Sequence, residues 1–84
     1  MYYVYILQST KNSNLYKGVT SDLKRRLREH NLGNVKSTKP HKPWKLIYYQ
    51  GFTSKIDAES EEKFLKTGKG RERIKYLLKD TLKN

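Results

Sequence analysis

The segment from Leu15 to Gly33 constrains this chain more than any other, because its pattern changes period within a few residues. Leu15 to Val19 reads as a short strand carrying a glycine, and Asp22 to Leu32 reads as a strongly basic helix. Thr20 or Ser21 is placed to cap the free N–H groups at the helix start, and Asp22 suits the positive end of its dipole. Gly33, after the last periodic residue, suits a left-handed stop. At 100° per residue, Leu23 and Leu27 share one face, and Arg26 and His30 fall within about 60° of Leu23. Lys24, Arg25 and Arg28 point away. Of these four basic residues, only Arg26 is expected against the protein body.

The rest of the chain must complete a core around that unit without covalent help. It has 84 residues and no cysteine, which predicts one domain over residues 1–84 with a small core. No apolar run approaches the about 20 residues a membrane span needs. The start, Met1 to Leu7, lacks the basic head of a signal peptide and reads as a first strand. No membrane association and a cytoplasmic location are the expectation. The formal charge of +11 favours an anionic partner, nucleic acid first. Residues 1–42 contain only two acids, Asp22 and Glu29, while four of the eight lie between Asp57 and Glu62.

Tyr2 to Gln8 is aromatic and β-branched and alternates weakly, so it predicts a strand. A polar turn, Ser9 to Asn14, joins it to the strand at Leu15–Val19 as an antiparallel hairpin. Tyr5 and Tyr16 then lie on neighbouring strands, in a register the sequence leaves open. Asn34 to Pro43 carries Lys36, Lys39, His41 and Lys42 and reads as an exposed, mobile loop, either a phosphate-contacting arm or an ordinary basic loop. Trp44 to Phe52 is a strand with few polar breaks, expected to be largely covered by helices. Ser54 with Asp57 resembles a capping box that opens a second helix, running to about Lys66 with Ala58 and Leu65 on one face. Gly68 and Gly70 are expected to break it. A final helix then buries Ile74, Leu77, Leu78 and Leu82. The order β-β-α-β-α-α predicts an α+β domain: a small, mostly antiparallel three-stranded sheet flanked by three helices.

Tyr5, Tyr16, Arg26, His30 and a helical glutamate are the residues available for chemistry. Each has a plain structural role open to it. Strand tyrosines pack, a histidine in a last helical turn complements the dipole, and an arginine stem can cover a core edge. Glu61 and Glu62 both flank the Ala58–Leu65 face, and periodicity does not choose between them.

Taken together, these residues resemble the GIY-YIG nuclease superfamily, within it the small single-domain proteins related to the nuclease domain of the nucleotide-excision repair endonuclease. The first signature half corresponds to Tyr3-Val4-Tyr5 and the second to Tyr16-Lys17-Gly18. The essential arginine lies in a pattern like Asp22-Leu23-Lys24-Arg25-Arg26-Leu27, which selects Arg26. His30-Asn31 matches the His-Asn of many small members. The metal-binding glutamate follows an alanine by four residues, so Ala58 selects Glu62. Lys63 to Arg71 looks like one subgroup of these proteins. Tyr3 stands where founding members have glycine, and Val19 stands where the repair endonuclease has a lysine.

The resemblance implies a metal-dependent endonuclease acting on DNA, with Mg²⁺ or Mn²⁺ on Glu62, Arg26 at the scissile phosphate, and Tyr5 and Tyr16 sharing the work of base and water positioner. Which tyrosine is the base stays open. His30 is expected to contact the phosphate or relay a proton. Lys24, Arg25, Arg28, Lys36, Lys39 and Lys42 are the expected backbone contacts, on DNA that is structured or branched, with RNA a further possibility. These residue types suit the reaction: phosphodiester hydrolysis needs an activated water and stabilised charge on the phosphoryl oxygens. A binding module with little or no catalysis is the alternative, and an adaptor for an acidic protein is the third reading.

Overall fold

The computed structural model describes residues 1–83. β1 (Tyr2–Ser9), β2 (Leu15–Thr20) and β3 (Trp44–Phe52) form one antiparallel sheet in the order β2-β1-β3. α1 (Leu23–Leu32) lies between β2 and β3 in sequence, and α2 (Lys55–Leu65) and α3 (Gly68–Leu77) follow. This is the α+β fold and element order that the sequence predicts. Among the described residues, no helix is long and apolar enough to cross a membrane.

β1 is the central strand, and both of its faces are covered. Val4 and Ile6 pack with Ala58 and Leu65 of α2, Ile74 of α3 and the following Leu78. Tyr5 and Leu7 face the other way, against Trp44 and the α1 residues Leu23 and Leu27. Burial on two sides explains the weak alternation of β1, since a strand covered by helices on both faces has no polar side to display. Burying a side chain such as Ile6 contributes roughly 1.5–3 kcal/mol.

Five expectations change in the tertiary structure. β3 is an edge strand, not a covered one, and Lys45, Tyr49 and Gln50 are exposed, because it pairs with β1 on one side only. Asp22 itself caps α1, its carboxylate accepting from Arg25 N–H at 3.1 Å, while Thr20 Oγ1 accepts from Asp22 N–H at 3.1 Å. Residues 34–43 form a docked segment instead of a free loop: Thr38 is buried, a 3-10 turn spans Lys39–His41, and the β-hairpin turn grips it through Ser9 Oγ to His41 O and Thr10 N–H to Pro43 O. Gly68 and Gly70 lie inside α3, where Thr67 caps Gly70 N–H at 3.1 Å, so the break falls at Lys66–Thr67. α3 ends at Leu77, which is exposed, and Leu82 packs from a 3-10 turn beyond it. The other local features match: Ser54 caps α2 by accepting from Asp57 N–H, and Gly33 ends α1 at φ 82°.

Candidate active site

The sheet register brings the two tyrosines together. Tyr5 pairs with Gly18 and Leu7 with Tyr16, so both rings stand on the α1 side, with centroids 6.3 Å apart. Gly18 is what lets Tyr5 lie down across β2. A Cβ at position 18 would sit 2.5 Å from the Tyr5 hydroxyl. The missing side chain is the slot for that phenol.

α1 then lowers His30 onto the same hydroxyl. His30 is fully buried; Nε2 lies 3.0 Å from Tyr5 Oη and Nδ1 lies 2.8 Å from Thr38 Oγ1. The Thr38 hydroxyl donates to Val35 O at 3.3 Å, leaving its oxygen to accept from His30 Nδ1–H. That assignment makes Nε2 the acceptor for the Tyr5 O–H, a directed chain Tyr5–His30–Thr38–Val35. Thr38 is itself fixed by Trp44, whose Nε1–H donates to the Thr38 carbonyl at 2.9 Å. The Tyr16 ring packs edge-on against His30 at 4.9 Å.

Burial, and then the Arg26 charge, pull the His30 pKa below its ordinary 6.5, with Glu29 opposing. Burial likewise pushes the Tyr5 phenol up, with Arg26 opposing. The site therefore holds a neutral imidazole beside a protonated phenol. A group whose folded pKa is depressed binds more protons when unfolded near that pH, so stability is lost on acidification. The His30 contribution should be complete above about pH 6.5, the unfolded value, and disappear as pH falls through the folded value. Urea midpoints at pH 5 and 7.5 should differ in the wild type and differ less in His30→Asn.

Arg26 lies on the inner flank of α1, its side chain 33 % exposed and paired with Glu29 at 3.0 Å. Contact with Tyr5 holds its guanidinium more firmly protonated, and Glu29 adds to this against the effect of burial. A cleft of about 290 Å³ opens beside it, between Thr20, Ser21, Arg25, Glu29 and Lys55. Lys24, Arg25 and Arg28 are exposed, as are Lys36, Lys39 and Lys42 on the docked segment. If the resemblance to GIY-YIG nucleases extends to activity, Arg25→Ala should weaken binding to nucleic acid modestly, whereas Arg26→Ala should abolish turnover; equal effects in paired binding and cleavage assays would contradict the helix geometry.

Glu62 comes from α2, on the far side of the sheet. Its side chain is 22 % exposed and accepts from Lys66 Nζ at 3.2 Å. Its charge still reaches the Tyr5 phenol and contributes to raising it. The structure thus groups Tyr5, Tyr16, Arg26 and His30, while Glu62 bonds to Lys66 and to none of them.

A model of the GIY-YIG catalytic domain matches residues 1–76. The chain belongs to the GIY-YIG family. Relatives in this family include a UPF0213 protein of Streptococcus pneumoniae serotype 4, 40% identical over 83 residues, covering 98% of this chain and 83% of that one. Another, from Clostridium perfringens, is 34% identical over 84 residues and covers 99% and 89%. The solution NMR structure of a UPF0213 protein from Bacillus halodurans superimposes with a TM-score of 0.55 at 33% identity, covering 92% of this chain and 85% of that one.

GIY-YIG is a nuclease family whose members generally use divalent metals. Among the described residues, no group of three or more His, Cys, Asp or Glu side chains is placed to hold a metal ion. A lone, partly buried carboxylate nevertheless fits Mg²⁺, which keeps several waters and takes one or two protein carboxylates. Sequence reasoning named Gly18 and Asn31 only as motif positions and missed Thr38, and all three hold this cluster together. Gly18 is the phenol slot and Thr38 orients His30. Asn31 staples α1 to β3, its Oδ1 accepting from Trp44 N–H at 2.6 Å and its Nδ2 donating to Trp44 O at 3.0 Å. The adjacency of Asn31 to His30 was the available signal; nothing local marks Thr38.

Proposed function

We propose that residues 1–84 form a single GIY-YIG nuclease domain, a metal-dependent endonuclease that hydrolyses phosphodiester bonds in DNA. The observation that supports this best is the buried Tyr5–His30–Thr38 chain beside Arg26. A phenol with an ordinary pKa near 10 is a poor base in water. Tyr5 has a neutral imidazole on its hydroxyl. As the attacking water loses a proton to the Tyr5 oxygen, the phenol passes its own proton to His30 Nε2, so no free phenolate accumulates in the buried site. The new P–O bond forms, the bond to the leaving oxygen breaks, and that oxygen takes a proton from solvent. Arg26 presents its planar fork of donors to the phosphoryl oxygens. Tyr16, packed on His30, positions the water. Glu62 would hold Mg²⁺ or Mn²⁺, which supplies charge neutralisation and leaving-group assistance when bound. Because the buried imidazolium is disfavoured, His30 returns the proton readily and the site resets.

Binding to DNA would run through phosphates, with Lys24, Arg25, Arg28, Lys36, Lys39 and Lys42 as contacts, so log K should fall with log salt by about 0.9 per neutralised phosphate. A binding module without catalysis is the second reading, favoured by Val19 in place of the repair endonuclease's lysine. The test is a cleavage screen over single-stranded, duplex and branched DNA and RNA with Mg²⁺ or Mn²⁺. Cleavage that stops with chelator and recovers on adding metal supports the nuclease. Salt-sensitive binding without cleavage of any substrate selects the binding module.

A further inference from the structure

β2 also presents a second side. Tyr16 and Gly18 face α1, so alternation turns Leu15, Lys17 and Val19 towards α2 and α3. There a groove of about 210 Å³ runs over Leu15, Ile74 and Leu82, with Lys17, Arg71 and Lys75 around it. No carboxylate lines it, and among the described residues none of these three cations forms an ion pair. Lys17 is partly buried, and burial, then Arg71 and Lys66, lower its pKa. Like charges gathered on a half-dry apolar surface repel one another, and an anion relieves that cost.

The groove also has a connection to the candidate active site. β2 is an edge strand, so no neighbouring strand covers its outer side. Lys17 sits between Tyr16 and Gly18 in sequence and points to the opposite face, so a polyanion held on the α1 side has only to round that edge to meet it. An apolar floor inside a cationic rim complements a nucleotide, whose base presents a flat, weakly polar face and whose phosphate is charged.

We propose that this groove is a second nucleotide subsite for single-stranded nucleic acid: the phosphate rests on Lys17, Arg71 and Lys75, and the sugar and base cover Leu15, Ile74 and Leu82. The proposal rests on the nucleic-acid reading above, but not on catalysis. The test is an NMR titration of ¹⁵N-labelled protein with a short single-stranded oligonucleotide, the same oligonucleotide carrying an abasic site, and inorganic phosphate. The amides of Lys17, Arg71, Ile74 and Lys75 should shift with the intact oligonucleotide, and the abasic form should bind several-fold more weakly. Lys17→Ala and Arg71→Ala should each weaken binding several-fold and reduce the salt slope by about 0.7 for each phosphate left unneutralised. Lys45→Ala, exposed on the far edge strand β3, removes the same charge and should do neither. Shifts confined to α1, or equal effects of the three substitutions, would overturn the subsite while leaving the nuclease reading intact. Equal binding of the intact and abasic forms, or phosphate alone saturating the same amides at comparable affinity, would overturn the nucleotide assignment. No shift anywhere with oligonucleotide would sink both readings.

Discussion

Glu62→Gln should leave a folded protein that binds DNA as tightly as the wild type, or more tightly, and cleaves it orders of magnitude more slowly. Glutamine keeps the side chain's volume, so packing along α2 is undisturbed. The ion pair to Lys66 that it removes is an i,i+4 surface pair, and Lys66 is 54% exposed, so its stability effect is at most about 0.5 kcal/mol. Catalysis is different, because Glu62 is the proposed metal carboxylate. A bound metal supplies several kcal/mol of transition-state stabilisation, and each ~1.4 kcal/mol is a factor of ten in rate. Binding is spared because the substitution removes a negative charge that repels a polyanion. Glu61→Gln is the control, an adjacent carboxylate outside the family spacing. Single-turnover cleavage and equilibrium binding on the same substrate separate the outcomes. If Glu61→Gln lost cleavage and Glu62→Gln kept it, the family spacing would be misaligned by one residue.

Gly70→Ala should unfold much of the protein at temperatures the wild type tolerates. Gly70 is buried in the first turn of α3, where a Cβ would clash with the Phe64 carbonyl oxygen and lie 2.6 Å from Leu65 Cα. Both are backbone atoms, so no rotamer change relieves the clash. α2 and α3 would have to separate, unpacking Leu65 and Ile74 from the core they share. Overpacking usually costs 1–3 kcal/mol, and a backbone clash belongs at or above about 3 kcal/mol. In a domain of this size that lowers the melting temperature by roughly 12 °C or more. Gly68→Ala tests the interpretation two residues earlier: nothing lies within 4 Å of its Cβ position, so it should be neutral or mildly stabilising. Thermal unfolding followed by circular dichroism decides it. A Gly70→Ala melting point within a few degrees of wild type would mean the helices do not approach so closely.

What the sequence by itself determined is whatever depends on residues close together along the chain. The 3.6-residue period placed Arg26 inward and Arg25 outward, Gly33 closed α1, and Ser54 opened α2, because helical phase and capping act within a turn or two. Strand segments were legible for the same reason, through composition over a few residues. The tertiary structure decided the rest. Whether Tyr5 crosses β2 depends on its pairing with Gly18, and a register slip of one would turn it to the opposite face. β1 lies at the centre and β3 at an edge because of how two helical layers sandwich the sheet, a choice no single strand encodes. Thr38 reaches His30 only because Asn31, Ser9 and Trp44 dock residues 34–43, turning an apparent loop into part of the site. Gly70 looked like a helix breaker because glycine is a poor helix former; its place inside α3 follows from the close approach of α2, which spans no local pattern. Long-range contacts of this kind link residues whose spacing carries no period, so only the folded chain brings them together.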